Sequence, residues 1–79
     1  MPAEVEDKKA AAEEAKAKGS KAFSAKQYVA AISAFSDAIA IDPKNHVFYS
    51  NRSAAYLKNK QAQKAVADAE KCVSIKPDW

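Results

Sequence analysis

The stretch A-I-S-A-F-S-D-A-I-A-I-D-P, residues 31–43, is answered thirty-four positions later by A-V-A-D-A-E-K-C-V-S-I-K-P, residues 65–77. Small residues return as small: Ala31 as Ala65, Ala38 as Cys72, and Gly19 upstream as Ser53. Apolar residues return as apolar: Ile32 as Val66, Ile39 as Val73, Ile41 as Ile75, Phe23 as Leu57. Within each copy the apolar positions follow the 3.6-residue period of a helix buried on one face. Each copy stops before a proline, Pro43 or Pro77, which disfavours helix in the residue ahead of it. The chain therefore reads as one helical unit written twice.

A period of 34 residues belongs to the tetratricopeptide repeat, a helix-turn-helix unit with small residues where its helices cross. The expected fold is all-α: two tandem tetratricopeptide (TPR) helix-turn-helix repeats, four antiparallel helices forming an α-solenoid fragment. Residues 12–45 and 46–79 are the two copies, preceded by a charged extension of the first helix over 1–11. Helices are expected over about 3–25, 28–41, 46–59 and 62–75. Glu4 with Lys8 and Glu14 with Lys18 offer supporting i,i+4 pairs in the first, and Asn45 is the expected N-cap of the third. Tyr28, Ile32, Phe35 and Ile39, flanked by Ala31 and Ala38, form the expected apolar stripe of the second helix. In the fourth, Val66, Ala69 and Val73 repeat that stripe. The second copy is thinner, with Ala62 in place of Tyr28 and Ala69 in place of Phe35, and its turn Asn59-Lys60-Gln61 lacks glycine.

Composition agrees. Ala and Lys dominate, with one Gly and three Pro among 79 residues, which favours helix and leaves little for sheet. A chain of this size buries only about 60% of its unfolded surface, so its stability is marginal. One cysteine, Cys72, excludes an internal disulfide, and with a single histidine, His46, it falls short of a structural zinc site. With no basic, apolar leader and no run of eighteen apolar residues, the chain is expected to be cytoplasmic, with no membrane association. Residues 1–14 carry five acids and two lysines; residues 15–79 carry eleven bases and five acids. The repeats are the basic part.

On the third helix, Tyr49, Ser53 and Tyr56 share one side, whereas Val47, Ala54 and Lys58 cluster about Asn51 on the other. On the first, Lys16, Ser20 and Phe23 share a stripe, and stacked repeats align their first helices along a concave surface. Lys16, Ser20 and Asn51 thus point to a common receptor for a carboxylate, with alanines leaving room for a peptide. Spacing alone favours the ordinary solvated helix face over such a receptor.

The motifs K-x-K-G-x-x-x-F at 16–23, N-H-V-F-Y-S-N-R-S-A-A-Y at 45–56 and K-P-D-W at 76–79 resemble the first tetratricopeptide module of the Hop/Sti1 co-chaperones. The resemblance covers about residues 12–79. It implies partners: the seventy- and ninety-kilodalton heat-shock chaperones of the stress response, gripped by their C-terminal Glu-Glu-Val-Asp tails in a carboxylate clamp. Carried over, it implies Lys16 and Asn51 on the terminal carboxylate, Ser20 beside them where the family has Asn, and Phe23, Ala54 and Lys58 lining the tail's path. The family's module continues into a third repeat that adds a Lys and an Arg. For these 79 residues alone the expectation is therefore weak or undetectable binding, roughly millimolar where a full clamp is micromolar. The alternative expectation is a structural unit that self-associates, as a homo-oligomer, through the face of Val66, Ala69, Val73 and Trp79.

Other functions find little in the residues. No nucleophile stands beside a base and no glycine-rich phosphate loop appears, so neither an enzyme nor a cofactor is expected. The basic charge lacks the interleaved aromatics of a nucleic-acid platform. Asn51-Arg52-Ser53 matches a glycosylation sequon by chance inside a helix. Arg52, on the flank of the tyrosine side, reads as structural, its stem packed and its head in solvent or on a nearby carboxylate. Cys72, at an alanine position of the first copy, reads as core.

Overall fold

The computed structural model describes the backbone of residues 2–78 and the side chains of residues 7–78. Four helices follow one another: α1 (Pro2–Ser24), α2 (Tyr28–Ile41), α3 (His46–Lys58) and α4 (Ala62–Ile75). Their ends lie within a residue of those the pattern predicts.

The repeat is visible in the turns atom by atom. After α1, the Gln27 amide donates to the Ala22 carbonyl (2.9 Å) and the Lys26 amide to the Phe23 carbonyl (3.0 Å). After α3, Gln61 donates to Tyr56 (2.8 Å) and Lys60 to Leu57 (3.1 Å), the same bonds one repeat on. This is the Schellman closure of a helix C-terminus, whose capping residue must be left-handed. Glycine usually supplies it; here lysine does both times, Lys26 at φ 62° and Lys60 at φ 64°.

The α2–α3 connection is held by side chains. Asn45 Oδ1 accepts from the Val47 amide at 3.0 Å, the expected N-cap. The Tyr49 hydroxyl reaches back to donate to the Pro43 carbonyl at 2.7 Å. A buried phenol thereby finds its partner and ties α3 to the end of the preceding repeat.

The helices pack as two hairpins, α1 on α2 and α3 on α4, with α2 also lying on α3 and α1 touching α3. One core cluster joins Ala12, Ala38 and Phe48, the largest fully buried side chain; another joins Ala31, Phe35 and Ala55, with Phe23 and Ile32 packed against it. Two phenylalanines thus fill the spaces that the alanines open. Phe35 also explains the chain's one glycine: a Cβ on Gly19 would lie 2.5 Å from the Phe35 ring, so α1 approaches α2 only because that carbon is missing.

Burial sharpens the two expected stripes. In α2 the deeply buried positions are Ala31, Phe35 and Ala38, while Tyr28, Ile32 and Ile39 are half-buried. In α4 the face laid on α3 is Ala65, Asp68 and Cys72, whereas Val66 and Val73 stay 57% and 51% exposed. The physical reason is the number of neighbours. α2 lies between α1 and α3 and covers both its small and its large apolar stripe; α4 meets only α3 among the described residues, through its small stripe. Within α1, Lys16 pairs with Glu13 at 3.8 Å; the expected Glu14–Lys18 pair does not appear among the described residues. The Glu4 side chain and Trp79 lie outside the described residues.

Candidate functional site

The faces of α1 and α3 that sequence spacing pairs do meet. A depression of about 180 Å³ opens between these helices, lined by Ser20, Phe23, Ser24, Phe35, Asn51 and Ala54. Four of the six expected residues therefore share one hollow: Ser20, Phe23, Asn51 and Ala54. Lys16 precedes Ser20 by four residues and Lys58 follows Ala54 by four. Each stands one helical turn, about 5.4 Å, beyond the hollow on the same helix.

The floor is apolar, formed by the Phe23 and Phe35 rings, and the rim carries an amide and two hydroxyls. Such a surface can accept a small apolar side chain while its donors hold a carboxylate. The Lys16 ammonium stands at one end, half-exposed and shared with Glu13 across an i,i+3 spacing. An incoming anion must compete with Glu13 for it. Phe35 reads in the sequence only as core and Ser24 carries no signal, while the i,i+3 spacing of Glu13 and Lys16 permits their pairing without requiring it.

Arg52 adjoins Asn51 yet serves a different purpose. Its Nε and Nη2 donate to Asp68 Oδ2 and Oδ1 at 2.7 and 2.8 Å, and Nη1 donates to Ser36 Oγ at 3.0 Å. Its guanidinium carbon also lies 5.5 Å from the Tyr56 ring centre. One side chain thus joins α2, α3 and α4. The hydrogen bonds that Arg52 donates to Asp68 hold the guanidinium protonated even more firmly than usual, against the opposing effect of burial. This is a structural bolt, as the flank position of Arg52 suggests; its partner Asp68, 5% exposed, has no signature in the sequence because the first copy has Ala34 there.

Beside it, Ser53 Oγ donates to the Ala65 carbonyl at 2.6 Å. Cys72 is buried, which pushes its thiol above the usual value and makes it a poor nucleophile. Among the described residues, no group of three or more His, Cys, Asp or Glu side chains gathers as a metal site. Nor, among those residues, is any helix long and apolar enough to cross a membrane.

Comparison with known proteins agrees with the fold. The tetratricopeptide repeat family pattern matches residues 34–67. The tetratricopeptide domain of Arabidopsis OM64 superposes with a TM-score of 0.87 at 33% identity, over 89% of this chain and 58% of that one. The Hsp70-Hsp90 organizing protein of Triticum aestivum is 59% identical, and the heat shock protein sti1 homolog of Schizosaccharomyces pombe 54%, each over 68 residues. Those 68 residues are 86% of this chain.

The class is thus a tandem of tetratricopeptide repeats. Within it, the chain is a repeat segment of the Hop/Sti1 type, and it spans about 12% of the length of these two relatives.

Proposed function

We propose that the chain is a co-chaperone module that binds acidic C-terminal tails, of the Glu-Glu-Val-Asp type carried by seventy- and ninety-kilodalton heat-shock chaperones, in the cytoplasm and as part of the stress response. In this reading residues 12–45 and 46–79 are the repeats and 1–11 an extension. Lys16, Ser20 and Asn51 hold the terminal carboxylate as a partial clamp, and Phe23, Ala54 and Lys58 line the tail's path. The observation that carries the reading is the shared hollow of Ser20, Phe23, Asn51 and Ala54 between α1 and α3. Similarity to proteins named as organizers of Hsp70 and Hsp90 supports the choice of partner.

The carboxylate's grip consists of charge-assisted hydrogen bonds, each worth roughly 1.5–3 kcal/mol. Titration of a Glu-Glu-Val-Asp peptide against its C-terminally amidated twin tests it. The free acid should bind, at about millimolar affinity, and Asn51→Ala or Lys16→Ala should weaken it about tenfold or more. Equal binding of acid and amide, or no effect of Asn51→Ala, would sink the clamp.

A second reading draws on the exposed Val66 and Val73, which with Ala69 make an almost wholly apolar surface on α4. Here the chain self-associates as a structural unit without binding peptide. Sedimentation at high concentration decides: a strict monomer removes this reading, and Val66→Lys should abolish any dimer seen.

A further inference from the structure

The described charges are sorted along the molecule. From Ala15 to Ser36, and again from Pro43 to Ala67, the chain carries no acid at all. Lys16, Lys18, Lys21 and Lys26 fall in the first interval, and Lys44, Arg52, Lys58, Lys60 and Lys64 in the second. Asp68, which closes the second interval, is buried against Arg52. Helices α1 and α3 run in the same direction, so the α1–α2 and α3–α4 turns lie at one end of the unit. Lys21, Lys26, Lys58, Lys60 and Lys64 all belong to that end and all are exposed. The exposed acids Asp7, Glu13, Glu14, Asp37, Glu70 and Asp78 lie away from it, in the first two-thirds of α1, the later halves of α2 and α4, and the C-terminal segment.

Among the described residues, no acid at this end offsets the charge. Helices α2 and α4 start there from Gln27 and Gln61, with no side-chain cap and no acid in the first turn. Acids are the usual choice at a helix N-terminus, because they complement its dipole. The repeat presents the same lysine, at the same left-handed position, on each turn.

We infer that the turn end is a docking surface for an extended acidic polypeptide segment. The hollow between α1 and α3 adjoins this end, since Ser24 lines it and immediately precedes the first turn, and Lys58 lies one helical turn beyond Ala54. The contact nevertheless needs no terminal carboxylate. Charge complementarity selects the partner, and the aromatic rings nearby select polypeptide over single-stranded nucleic acid. The Tyr56 ring already has Arg52 at 5.5 Å and Lys64 at 5.8 Å, and Phe23 and Tyr28 stack edge to face at 5.5 Å. Among the described residues, each of these rings already has a cation or an edge against it, which makes it a poor platform for a base.

The test uses a labelled decapeptide of alternating glutamate and serine, amidated at its C-terminus so that the clamp cannot contribute. Binding to the 79-residue chain is followed by fluorescence anisotropy at low and high salt. The triple variant Lys21→Glu, Lys26→Glu, Lys60→Glu should bind about tenfold more weakly, as expected for several exposed pairs reversed together. The control triple Lys44→Glu, Lys71→Glu, Lys76→Glu, with the same net charge, should lose less than about twofold. Circular dichroism reports whether each variant stays helical, and glutamine in place of glutamate gives a milder version of both. Equal losses in the two triples would show a response to net charge alone and overturn the inference. So would undetectable peptide binding at low salt, or displacement of the peptide by an oligothymidylate of equal charge at a tenth of the concentration at which unlabelled peptide displaces it. Because the probe has no free C-terminal carboxylate, none of these outcomes decides whether the clamp holds a chain terminus.

Discussion

The two hairpins share their turns, their hydrogen bonds and their period, but not the means by which each is held. In the first, volume does the work: Phe35 fills the space between α1, α2 and α3, and Gly19 yields so that the ring can sit against α1. In the second, Ser53 and Ala69 take the places of Gly19 and Phe35, and polar contacts stand where packing stood. The Ser53 hydroxyl bonds to the Ala65 carbonyl, and Arg52 grips Asp68 in two hydrogen bonds. The same backbone can thus be specified by a ring in a notch or by an ion pair in a seam. The difference follows from exposure: α2 is enclosed on two sides, and α4 is laid on α3 alone among the described residues.

The comparison breaks most visibly at Phe35. Phe35→Ala empties a buried site and should cost about 3–5 kcal/mol, enough to unfold a chain this small. Its counterpart is already alanine, so Ala69→Phe on the exposed face should change stability by less than about 0.5 kcal/mol. Urea denaturation followed by circular dichroism measures both. A small loss for Phe35→Ala would mean that the ring is not the wedge described.

Asp68→Ala tests the polar hairpin. Removing one partner leaves the Arg52 guanidinium, with its side chain 21% exposed, without its carboxylate. Breaking a fully buried pair costs about 3–5 kcal/mol; partial access of Arg52 to water reduces this to about 2. Replacing both residues, Arg52→Met with Asp68→Leu, should recover most of the loss, because an apolar pair of similar volume avoids desolvating either charge. If the double variant is no better than Asp68→Ala, the contact with Ser36 or Tyr56 matters more than the pair.

How far the sequence revealed these devices depends on whether they repeat. The helices, turns and small-residue crossings recur at 34 residues, and each is legible because one copy vouches for the other. Phe48 and Asp68 have no such witness: their counterparts are Glu14 and Ala34, so the internal alignment is silent where the structure buries a ring and a carboxylate. The candidate site divides the same way. Ser20 and Asn51 are placed by helical spacing, and their meeting follows once α1 and α3 lie side by side. The pairing of Lys16 with Glu13 depends on rotamers that spacing does not specify, and α4's rotation depends on which neighbours it has.

Gly19→Ala sharpens the contrast at the level of one carbon. Alanine is the better helix former by about 1 kcal/mol, yet its Cβ would meet the Phe35 ring at 2.5 Å, an overlap costing roughly 1–3 kcal/mol. The net change should be a loss of about 1 kcal/mol, the difference of those two effects. With Phe35→Leu in the background the overlap eases, and Gly19→Ala should cease to destabilise. A double-mutant cycle in urea measures the coupling, and additivity would remove the notch from the account.

The smallest effect belongs to the feature the hairpins share. Lys26 and Lys60 hold left-handed backbone that costs a residue with a Cβ roughly 1 kcal/mol, whereas glycine adopts it freely. Glycine also gains entropy in the unfolded chain, so Lys26→Gly and Lys60→Gly should each stabilise by only about 0.5 kcal/mol. The two gains should be equal, because the turn bonds are the same to within about 0.1 Å. Unequal gains in denaturant midpoint would show that the hairpins differ in their turns as well as in their cores, and the contrast would then no longer reside in packing alone.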